Sequence, residues 1–268
     1  MKALLIIIAS VMTVIVVGCD GSDNTSRRVN SEEFRVIIDS SKLVGALLVC
    51  DEAKNVFYSN DFQWSEKKHL PASTFKIPNS MIALETGVIE NASDTIFYTG
   101  EQRMFDSWEE DMTLKSAFHR SCLPCYQQLS RKVGFERMRS QVSKLGYGEM
   151  NFDSTSFDSF WVKGTSGISQ FQQIDFLKRF YHSELPISKK TEEMIKITEN
   201  GYELSAKTGW SITDDKDNGW YVGFLEVNGR VYYFATNVSP GEGFNRARFS
   251  AIRKEITFQG LKVLGVIN

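Results

Sequence analysis

The sequence predicts a mixed α/β (α+β) fold, in which an antiparallel sheet built from both ends of the chain has flanking helices and an inserted, mostly helical lobe. Near the start, the apolar run 43–50, the polar turn 51–55 and the apolar segment 56–58 form a hairpin pattern. Near the end, Asn228-Gly229 separates the apolar segments 219–227 and 230–237, and this dipeptide is a strong turn signal. The residues from about 91 to 201 have mostly helical patterns. We expect a ligand to bind in the crevice between the two lobes.

The composition is that of an ordinary globular protein, with 42% hydrophobic and 24% charged residues. The length of 268 residues suits one large domain or two interleaved lobes. We expect a folded domain over 31–268, with a sheet lobe at about 31–67 and 201–268 and a helical lobe at about 68–200. The 31 basic and 33 acidic residues nearly balance and form no basic block, so we expect no nucleic-acid partner. A small molecule or a protein is the default ligand, and no pattern indicates an oligomeric state.

The first 18 residues have the pattern of an export signal, with Lys2 followed by a largely apolar run that ends at Gly18. The run is shorter than the ~20 residues that a spanning helix needs. Because Cys19 follows directly, the segment resembles a bacterial lipoprotein signal, which is cut before the cysteine whose thiol is then acylated. The alternatives are a plain cleaved signal and an uncleaved anchor. We expect 19–30 to be a tether that holds an exported protein at the periplasmic face of a membrane.

Three further cysteines remain if Cys19 carries lipid: Cys50, Cys122 and Cys125. The last two form a C-x-x-C pattern, which is open to four interpretations: a redox pair, half of a metal site, a local disulfide, or two buried thiols. No second C-x-x-C or nearby histidine pair accompanies it, so we expect no metal. No thioredoxin-like βαβ pattern surrounds it either. Buried thiols or a local disulfide is the preferred interpretation.

The segment from Glu32 has a strand-like pattern that leads into the first hairpin, and the polar segment 59–68 follows it. A helix is predicted from Ser73 to Val88, because apolar residues recur there at helical spacing. Ser73 and Lys76 then share its first turn, and this pairing can activate a serine without a histidine. The same spacing at 65–68 has no apolar stripe after it, so we interpret that segment as a solvated loop.

The rest of the chain is predicted in outline from its apolar periodicity and its turn residues. We expect helices at 124–133, 135–145, 171–182 and about 249–264, a loop at 162–167, and strands at 202–207, 219–227 and 230–237.

Three other patches contain candidate functional residues. Ser121 is either the N-cap of the helix near Pro124 or a hydroxyl that relays protons beside Ser73. The segment 207–209 (Lys-Thr-Gly) is predicted to end a strand, where it either runs into a turn or places a cation and a hydroxyl at the edge of a cleft. Arg253, early in the last helix, is either solvated or part of that cleft.

The order of three motifs resembles the penicillin-recognising serine enzymes: Ser73-x-x-Lys76, Ser121-x-Leu123 and Lys207-Thr208-Gly209. The closer resemblance is to class D (oxacillinase-type) β-lactamases, because Ser73-Thr74-Phe75-Lys76 repeats their Ser-Thr-Phe-Lys signature. Further matches are Trp108-Glu109-Glu110-Asp111, Tyr147-Gly148-Glu149, Trp161 and Arg253. The resemblance covers roughly 43–267, which is nearly the whole predicted domain.

This resemblance implies a β-lactamase/transpeptidase-like catalytic domain that hydrolyses penicillin-type antibiotics through an acyl-serine intermediate. It implies that Ser73 is the nucleophile and that Lys76 becomes a carbamate by reaction with carbon dioxide, with no other cofactor. It also implies that Ser121 passes a proton to the leaving nitrogen. The residues implied around the carbamate are Phe75, Leu123, Trp161 and Val162.

The resemblance also assigns the binding of the substrate. It implies an oxyanion hole made by the backbone amides of Ser73 and Trp210. The substrate carboxylate would be held by Lys207, Thr208, Gly209 and Arg253.

Three departures from the family pattern concern the surroundings of the site rather than its reaction. Leu123 replaces the usual valine, Glu149 replaces the usual asparagine, and two cysteines lie in and after the second motif. One alternative function is a D-Ala-D-Ala peptidase, but such enzymes usually have asparagine at the position of Leu123. Another is a β-lactam sensor that acylates and stops, but such sensors follow several membrane spans and a metalloprotease part.

Overall fold

The computed structural model describes residues 26–195 and 203–268. The strands of this part are β1 (Arg27–Asn30), β2 (Leu43–Asp51), β3 (Val56–Ser59), β4 (Thr95–Ile96), β5 (Met112–Thr113), β6 (Glu203–Thr213), β7 (Lys216–Val227) and β8 (Arg230–Pro240). The helices are α1 (Glu32–Ser40), α2 (Phe62–Glu66), α3 (Lys76–Glu85), α4 (Leu114–His119), α5 (Leu123–Val133), α6 (Phe135–Leu145), α7 (Gln170–Tyr181), α8 (Lys189–Ile195) and α9 (Phe249–Val263). Short 3-10 helices lie at Ala72–Phe75, Asp106–Trp108 and Arg246–Arg248. Within these two ranges, we find no helix that combines the length and the apolar character needed to cross a membrane.

Six strands form one sheet in the order β1-β3-β2-β8-β7-β6. Strands from the two ends of the chain are neighbours, since β2 pairs with β8 and places Leu47 opposite Thr236. The pairings in this sheet are antiparallel except that of β1 with β3. Asn228 and Gly229 have left-handed φ angles of 52° and 70° at the β7–β8 turn, as their turn signal predicts. The predicted mixed fold, with a sheet from both chain ends, is confirmed.

The sheet separates two hydrophobic cores, because successive side chains of a strand point to opposite faces. In β2, Leu47 and Val49 belong to the core shared with α1 and α9. Leu48 and Cys50 belong to the larger core on the other face, which is filled by α3, α5, α6 and α7. The candidate site lies at the border of this larger core.

Five predicted helices are present with small differences in their bounds. Those predicted at 124–133, 135–145, 171–182 and 249–264 are α5, α6, α7 and α9, each within one residue at either end. The helix predicted from Ser73 instead begins as the 3-10 turn Ala72–Phe75 and becomes α-helical at Lys76. Ser73 therefore lies in a tighter turn than predicted, directly before α3.

The strand-like prediction that begins at Glu32 is wrong for its first nine residues, which form α1. Ser31 caps this helix, because its hydroxyl accepts a hydrogen bond from the Phe34 amide at 3.2 Å. Phe34, Ile37 and Ile38 form its buried face at helical spacing. Residues Arg27–Asn30, predicted to be part of a tether, pair with β3 as an edge strand.

Two further predictions differ from the structure. Ser65, expected in a solvated loop, is buried in α2, where its hydroxyl donates to the Asp61 carbonyl at 2.8 Å. The segment 207–209, expected at the end of a strand, lies in the middle of β6, which continues to Thr213. The strand continues because a second tight turn, at Asp214 and Asp215, joins it to β7. Tyr202, predicted to begin this strand, lies outside the described residues.

Candidate active site

The side chains of Ser73 and Lys76 meet at the start of α3, as predicted. Lys76 Nζ lies 2.8 Å from Ser73 Oγ and 5.3 Å from the centre of the Tyr126 ring. The lysine is completely buried. Burial, and secondly the charge of Lys207, hold the pKa of the Lys76 amine well below its usual value. The structure therefore favours a neutral amine beside the serine hydroxyl.

Buried hydrogen bonds fix the turn that carries Ser73. The Thr74 hydroxyl donates to the Pro71 carbonyl at 2.7 Å and lies 2.8 Å from the Tyr147 hydroxyl. Gln173 of α7 donates to the same Thr74 oxygen at 2.9 Å. Sequence reasoning missed Gln173, although a glutamine on the buried face of a helix was an available signal. Such a satisfied network makes the turn rigid.

The residue before Ser73 has a strained backbone. Ala72 has a φ angle of 52°, which is uncommon for a residue with a Cβ. Its amide donates to the Trp161 carbonyl at 2.7 Å, so the Trp161 segment holds this conformation. Strain of this kind is often found at functional sites.

The residues predicted to surround a carbamate all belong to the larger core or pack against it. Phe75 and Trp161 are fully buried and stack with their ring centres 5.3 Å apart. Leu123 and Val162 are partly buried and pack against the same core. The indole nitrogen of Trp161 is buried and has no hydrogen-bond partner among the described residues. Such a donor is costly to leave unpaired, so it indicates a place for an acceptor.

Ser121 and Lys207 form a second pair of a hydroxyl and an amine. Lys207 Nζ donates to Ser121 Oγ at 2.5 Å and to the Thr208 carbonyl at 3.0 Å. Burial, followed by the charges of Arg253 and Lys254, lowers the pKa of Lys207 to about 7. The N-cap interpretation of Ser121 is wrong, because Cys122 is the cap of α5. The Ser121 hydroxyl therefore contacts Lys207 and does not cap the helix.

Gly209 lies in β6 directly against the turn that contains Ser73. A Cβ added to it would lie 3.1 Å from the Pro71 carbonyl oxygen and 3.2 Å from Thr74 Cγ2. β6 is the last strand of the sheet. The strand that contains Gly209 and the turn that contains Ser73 therefore meet at a narrow junction, which a side chain at position 209 would crowd.

Arg253 is buried beneath β6, so its interpretation as a solvated side chain is wrong. Its guanidinium donates to the Gly209 carbonyl, to the Phe249 carbonyl at 2.9 Å and to the Ser250 carbonyl at 3.2 Å. Burial lowers its pKa to about 10, so the group remains charged at neutral pH. The structure thus places a positive charge directly behind the Lys207–Gly209 stretch.

The three departures from the family pattern lie in different surroundings. Cys122 and Cys125 form a disulfide with their Cα atoms 5.4 Å apart, which decides between the interpretations left open above. Glu149 is exposed and pairs with Lys68 at the surface. Leu123 begins α5 and packs against the larger core. No group of His, Cys, Asp and Glu suited to a metal ion occurs in the part of the chain that the structure describes.

Comparisons with known proteins agree with this geometry. Residues 51–259 match the family model of the penicillin binding protein transpeptidase domain. Beta-lactamase OXA-10 of Pseudomonas aeruginosa is 38% identical over 202 residues, which are 72% of this chain and 76% of that protein. Beta-lactamase OXA-48 of Klebsiella pneumoniae is 33% identical over 94% of each chain.

Solved structures give the same result. The class D β-lactamase YbXI from Nostoc is 37% identical, with a TM-score of 0.82 over 87% of this chain and 99% of that one. A class D β-lactamase from Sebaldella termitidis is 29% identical, with a TM-score of 0.84 over 91% of this chain and 100% of that one. With its motifs, its fold and these similarities in agreement, the chain belongs to the class D β-lactamase family of serine enzymes.

Proposed function

We propose that this protein hydrolyses the β-lactam ring of penicillin-type antibiotics through an acyl intermediate on Ser73. The observation that carries the proposal is the 2.8 Å contact between Ser73 Oγ and the buried Lys76 amine. A neutral amine in this position can react with carbon dioxide, and the resulting carbamate can activate a hydroxyl that is otherwise a weak nucleophile. The named class D relatives support the choice of β-lactams as the substrate class.

The reaction has two halves. In acylation, Ser73 Oγ bonds to the lactam carbonyl carbon, and its proton passes to the base at position 76. The bond from that carbon to the ring nitrogen breaks, and the nitrogen takes a proton from Ser121, which Lys207 contacts at 2.5 Å and which regains a proton from the base. In deacylation, a water adds to the ester carbonyl and gives its proton to the base. The bond to Ser73 Oγ then breaks, and Oγ takes that proton from the base as the ring-opened acid leaves.

The surroundings of Lys76 fit carboxylation by carbon dioxide. A neutral amine is the form that reacts, and burial keeps the pKa of Lys76 low. When carboxylated, Lys76 carries a carbamate that supplies the general base for both halves of the reaction. The unpartnered indole nitrogen of Trp161 would donate a hydrogen bond to it, and Phe75, Leu123 and Val162 would keep the pocket apolar.

Binding of the substrate is assigned to β6 and the Ser73 turn. The backbone amides of Ser73 and Trp210 would stabilise the oxyanion. The carboxylate of the substrate would meet Lys207 and the Thr208 hydroxyl, with Gly209 allowing close approach. Arg253 already donates to three backbone carbonyls, so its charge would act from behind the strand as well as through its remaining N–H groups.

Turnover of a chromogenic cephalosporin tests this proposal. The full chain with Cys19→Ala is assayed with and without bicarbonate, and the Lys76 carbon signal is followed by NMR after labelling with ¹³C-bicarbonate. We expect turnover that bicarbonate stimulates and a carbamate resonance that is absent in Lys76→Ala. A single stoichiometric burst without turnover would instead indicate a sensor or a peptidase.

The Lys76→Ala variant separates the two halves. We expect it to acylate slowly and to deacylate hardly at all, because the water has lost its base. Mass spectrometry of the trapped adduct measures this. Undiminished turnover in the variant would reject the proposed role of Lys76.

The proposed location rests on the N-terminal pattern of Lys2, the apolar run and Cys19. The protein would be exported and held by lipid on Cys19 at the periplasmic face of a membrane. Cys19→Ala should release it completely from the membrane fraction. Unchanged membrane association would contradict the lipid anchor.

A further inference from the structure

Ser121 has a backbone conformation that its own residue type does not favour. Its φ angle is 52°, in the left-handed region, which is disfavoured for residues that carry a Cβ. Its hydroxyl nevertheless has to meet Lys207 Nζ, which lies 2.5 Å away. Such a conformation persists only where the neighbouring structure holds it. Contacts on both sides of Ser121 hold it in this conformation.

On the carboxyl side, the disulfide between Cys122 and Cys125 closes the first turn of α5. Cys122 Sγ also accepts a hydrogen bond from the Cys125 amide at 3.2 Å. Both cysteines are fully buried. The residue that follows Ser121 is thus fixed by a covalent bond and by the cap of a helix.

On the amino side, the segment that contains Trp108 fixes the residue before Ser121. The Trp108 indole donates to the Arg120 carbonyl at 3.1 Å. The Arg120 guanidinium in turn donates to the Ser107 carbonyl at 3.0 Å. The peptide unit that leads into Ser121 is therefore bonded to a different part of the chain.

Arg103 connects the two sides. Its Nη1 atom donates to the Trp108 carbonyl at 2.6 Å and lies 3.9 Å and 3.8 Å from the sulfurs of Cys122 and Cys125. Its Nε and Nη2 atoms donate to Glu101 at 2.9 Å and 2.7 Å. Only 3% of its side chain is exposed. A buried guanidinium of this kind sets geometry, because its planar donors accept few arrangements.

We propose that Arg103, Trp108 and the Cys122–Cys125 disulfide act together as positioning residues that hold Ser121 in place for acylation. We call this set the Ser121 clamp. The inference rests on the proposed function, because it concerns the proton that Ser121 gives to the leaving nitrogen. That transfer occurs only while the carbon–nitrogen bond of the lactam breaks. Loosening the clamp should therefore slow acylation and leave deacylation unchanged.

The first experiment removes the disulfide with the double variant Cys122→Ala and Cys125→Ala in the full chain. Acylation and deacylation rate constants for a chromogenic cephalosporin are measured separately per folded molecule. We expect acylation to fall by about tenfold, since a residue freed from a disfavoured conformation leaves it in most molecules. Deacylation should stay within about twofold. Cys50→Ala, which removes a buried sulfur from β2, is the matched control and should change neither constant.

The second experiment tests positioning against a general structural effect. The two cysteine substitutions are also made in a Ser121→Ala variant, which lacks the hydroxyl that the clamp positions. We expect no further loss of acylation there, which makes the effects of the two changes strongly non-additive. An equal tenfold loss in both backgrounds, or equal losses of acylation and deacylation, would overturn the proposal.

A variant that keeps the disulfide tests the same proposal in case the double cysteine variant does not fold. Arg103→Lys retains a charge but not the planar donors, and we expect a selective loss of acylation in it as well. Failure of the wild-type protein to acylate at all would reject the proposed function. If the wild-type protein acylates and the clamp variants acylate at the same rate, the clamp is rejected but the proposed function is not.

Discussion

At the scale of single residues, the site depends on two lysines that lie in surroundings unsuited to a charge. Lys76 is fully buried next to Ser73, and Lys207 is nearly so next to Ser121. Each amine contacts one hydroxyl rather than a carboxylate. Burial therefore shifts both toward their neutral forms, at some expense in stability.

Replacing Lys76 with a methionine should stabilise the folded protein while abolishing turnover. The pKa of Lys76 is lower in the folded than in the unfolded chain, so folding disfavours its proton. The stability lost in this way is greatest when the pH is below the pKa of Lys76 in the folded protein. The loss disappears as the pH rises to ~10.4, the pKa of the lysine in the unfolded chain. In buffer without carbon dioxide, we expect Lys76→Met to melt roughly 5 °C higher near neutral pH. Calorimetry should show this gap narrowing toward pH ~10.

The control for this prediction is Lys144→Met, which changes an exposed lysine of α6. It should shift the melting temperature by no more than about 1 °C at any of these pH values. A Lys76→Met protein that melts below the wild type would show that the amine stabilises the fold.

Lys207 should make substrate binding depend on pH. Its pKa of about 7 means that the ammonium which attracts the substrate carboxylate is lost as pH rises through neutrality. We expect KM for a penicillin to increase about tenfold between pH 6 and 8. Lys207→Arg keeps its charge over this range, so its KM should vary little, although its kcat should fall as the contact with Ser121 changes. A flat wild-type profile would contradict this role for Lys207.

Residue types predicted which side chains meet in the site, but not all of its contacts. Ser73 and Lys76 are brought together as their spacing predicts, and Ser121 meets Lys207. The burial of Arg253 and the part played by Gln173 were not predicted. Both depend on elements that are distant in sequence, and a pattern within one segment contains no information about them.

At the scale of elements, the site is the junction between the end strand β6 and the 3-10 turn before α3. Gly209 sets how closely the two approach, because no side chain separates β6 from Pro71 and Thr74. The length of β6 was underestimated because Asp214 and Asp215 form a left-handed turn without the usual glycine. The predicted strand consequently stopped at Lys207, whereas β6 extends to Thr213.

Gly209→Ala should separate the strand from the turn. The added Cβ would lie 3.1 Å from the Pro71 oxygen and 3.2 Å from Trp220 Cβ, so the neighbours have to move by a few tenths of an ångström. Since small displacements at a reacting centre are costly, we expect kcat/KM to fall by tenfold or more. Steady-state kinetics and a thermal melt measure the two effects.

Gly260→Ala is the matched control for this substitution. Its Cβ would lie 3.2 Å from the Phe34 ring, in the core on the opposite face of the sheet. It should change the melting temperature without changing kcat per folded molecule. Equal kinetic losses in both variants would show that crowding at Gly209 has no special effect on the site.

At the scale of the whole molecule, one sheet carries two cores, and the candidate site takes residues from both of its faces. The core of α1 and α9 contains Phe34, Leu47 and Ile256 and lies on the face away from Ser73. The core on the other face surrounds the Ser73 turn, whereas Arg253 reaches β6 from α9. The alternation of apolar residues predicted that a sheet exists, but the helical nature of Glu32–Ser40 was missed, because a short apolar segment fits either structure.

Ile38→Ala, in α1, should destabilise the protein without altering its chemistry. Ile38 is buried in the core of α1 and α9, and α1 carries no residue of the site. Truncating such a side chain reduces the free energy of unfolding by ~2–5 kcal/mol. Denaturant unfolding measures this loss, and active-site titration should give an unchanged kcat per folded molecule. A changed kcat would show that the two faces of the sheet are mechanically coupled.

The order of the strands also determines where the protein can be held. The described chain begins at β1, on one edge of the sheet, whereas Lys207 and Gly209 lie in β6 on the other edge. Five strand spacings of about 4.8 Å place these edges roughly 24 Å apart. A surface, tag or carrier attached through the residues before β1 is therefore joined to the molecule at the edge of the sheet opposite β6. We therefore expect the turnover of an antibiotic to be unchanged when the protein is immobilised in this way.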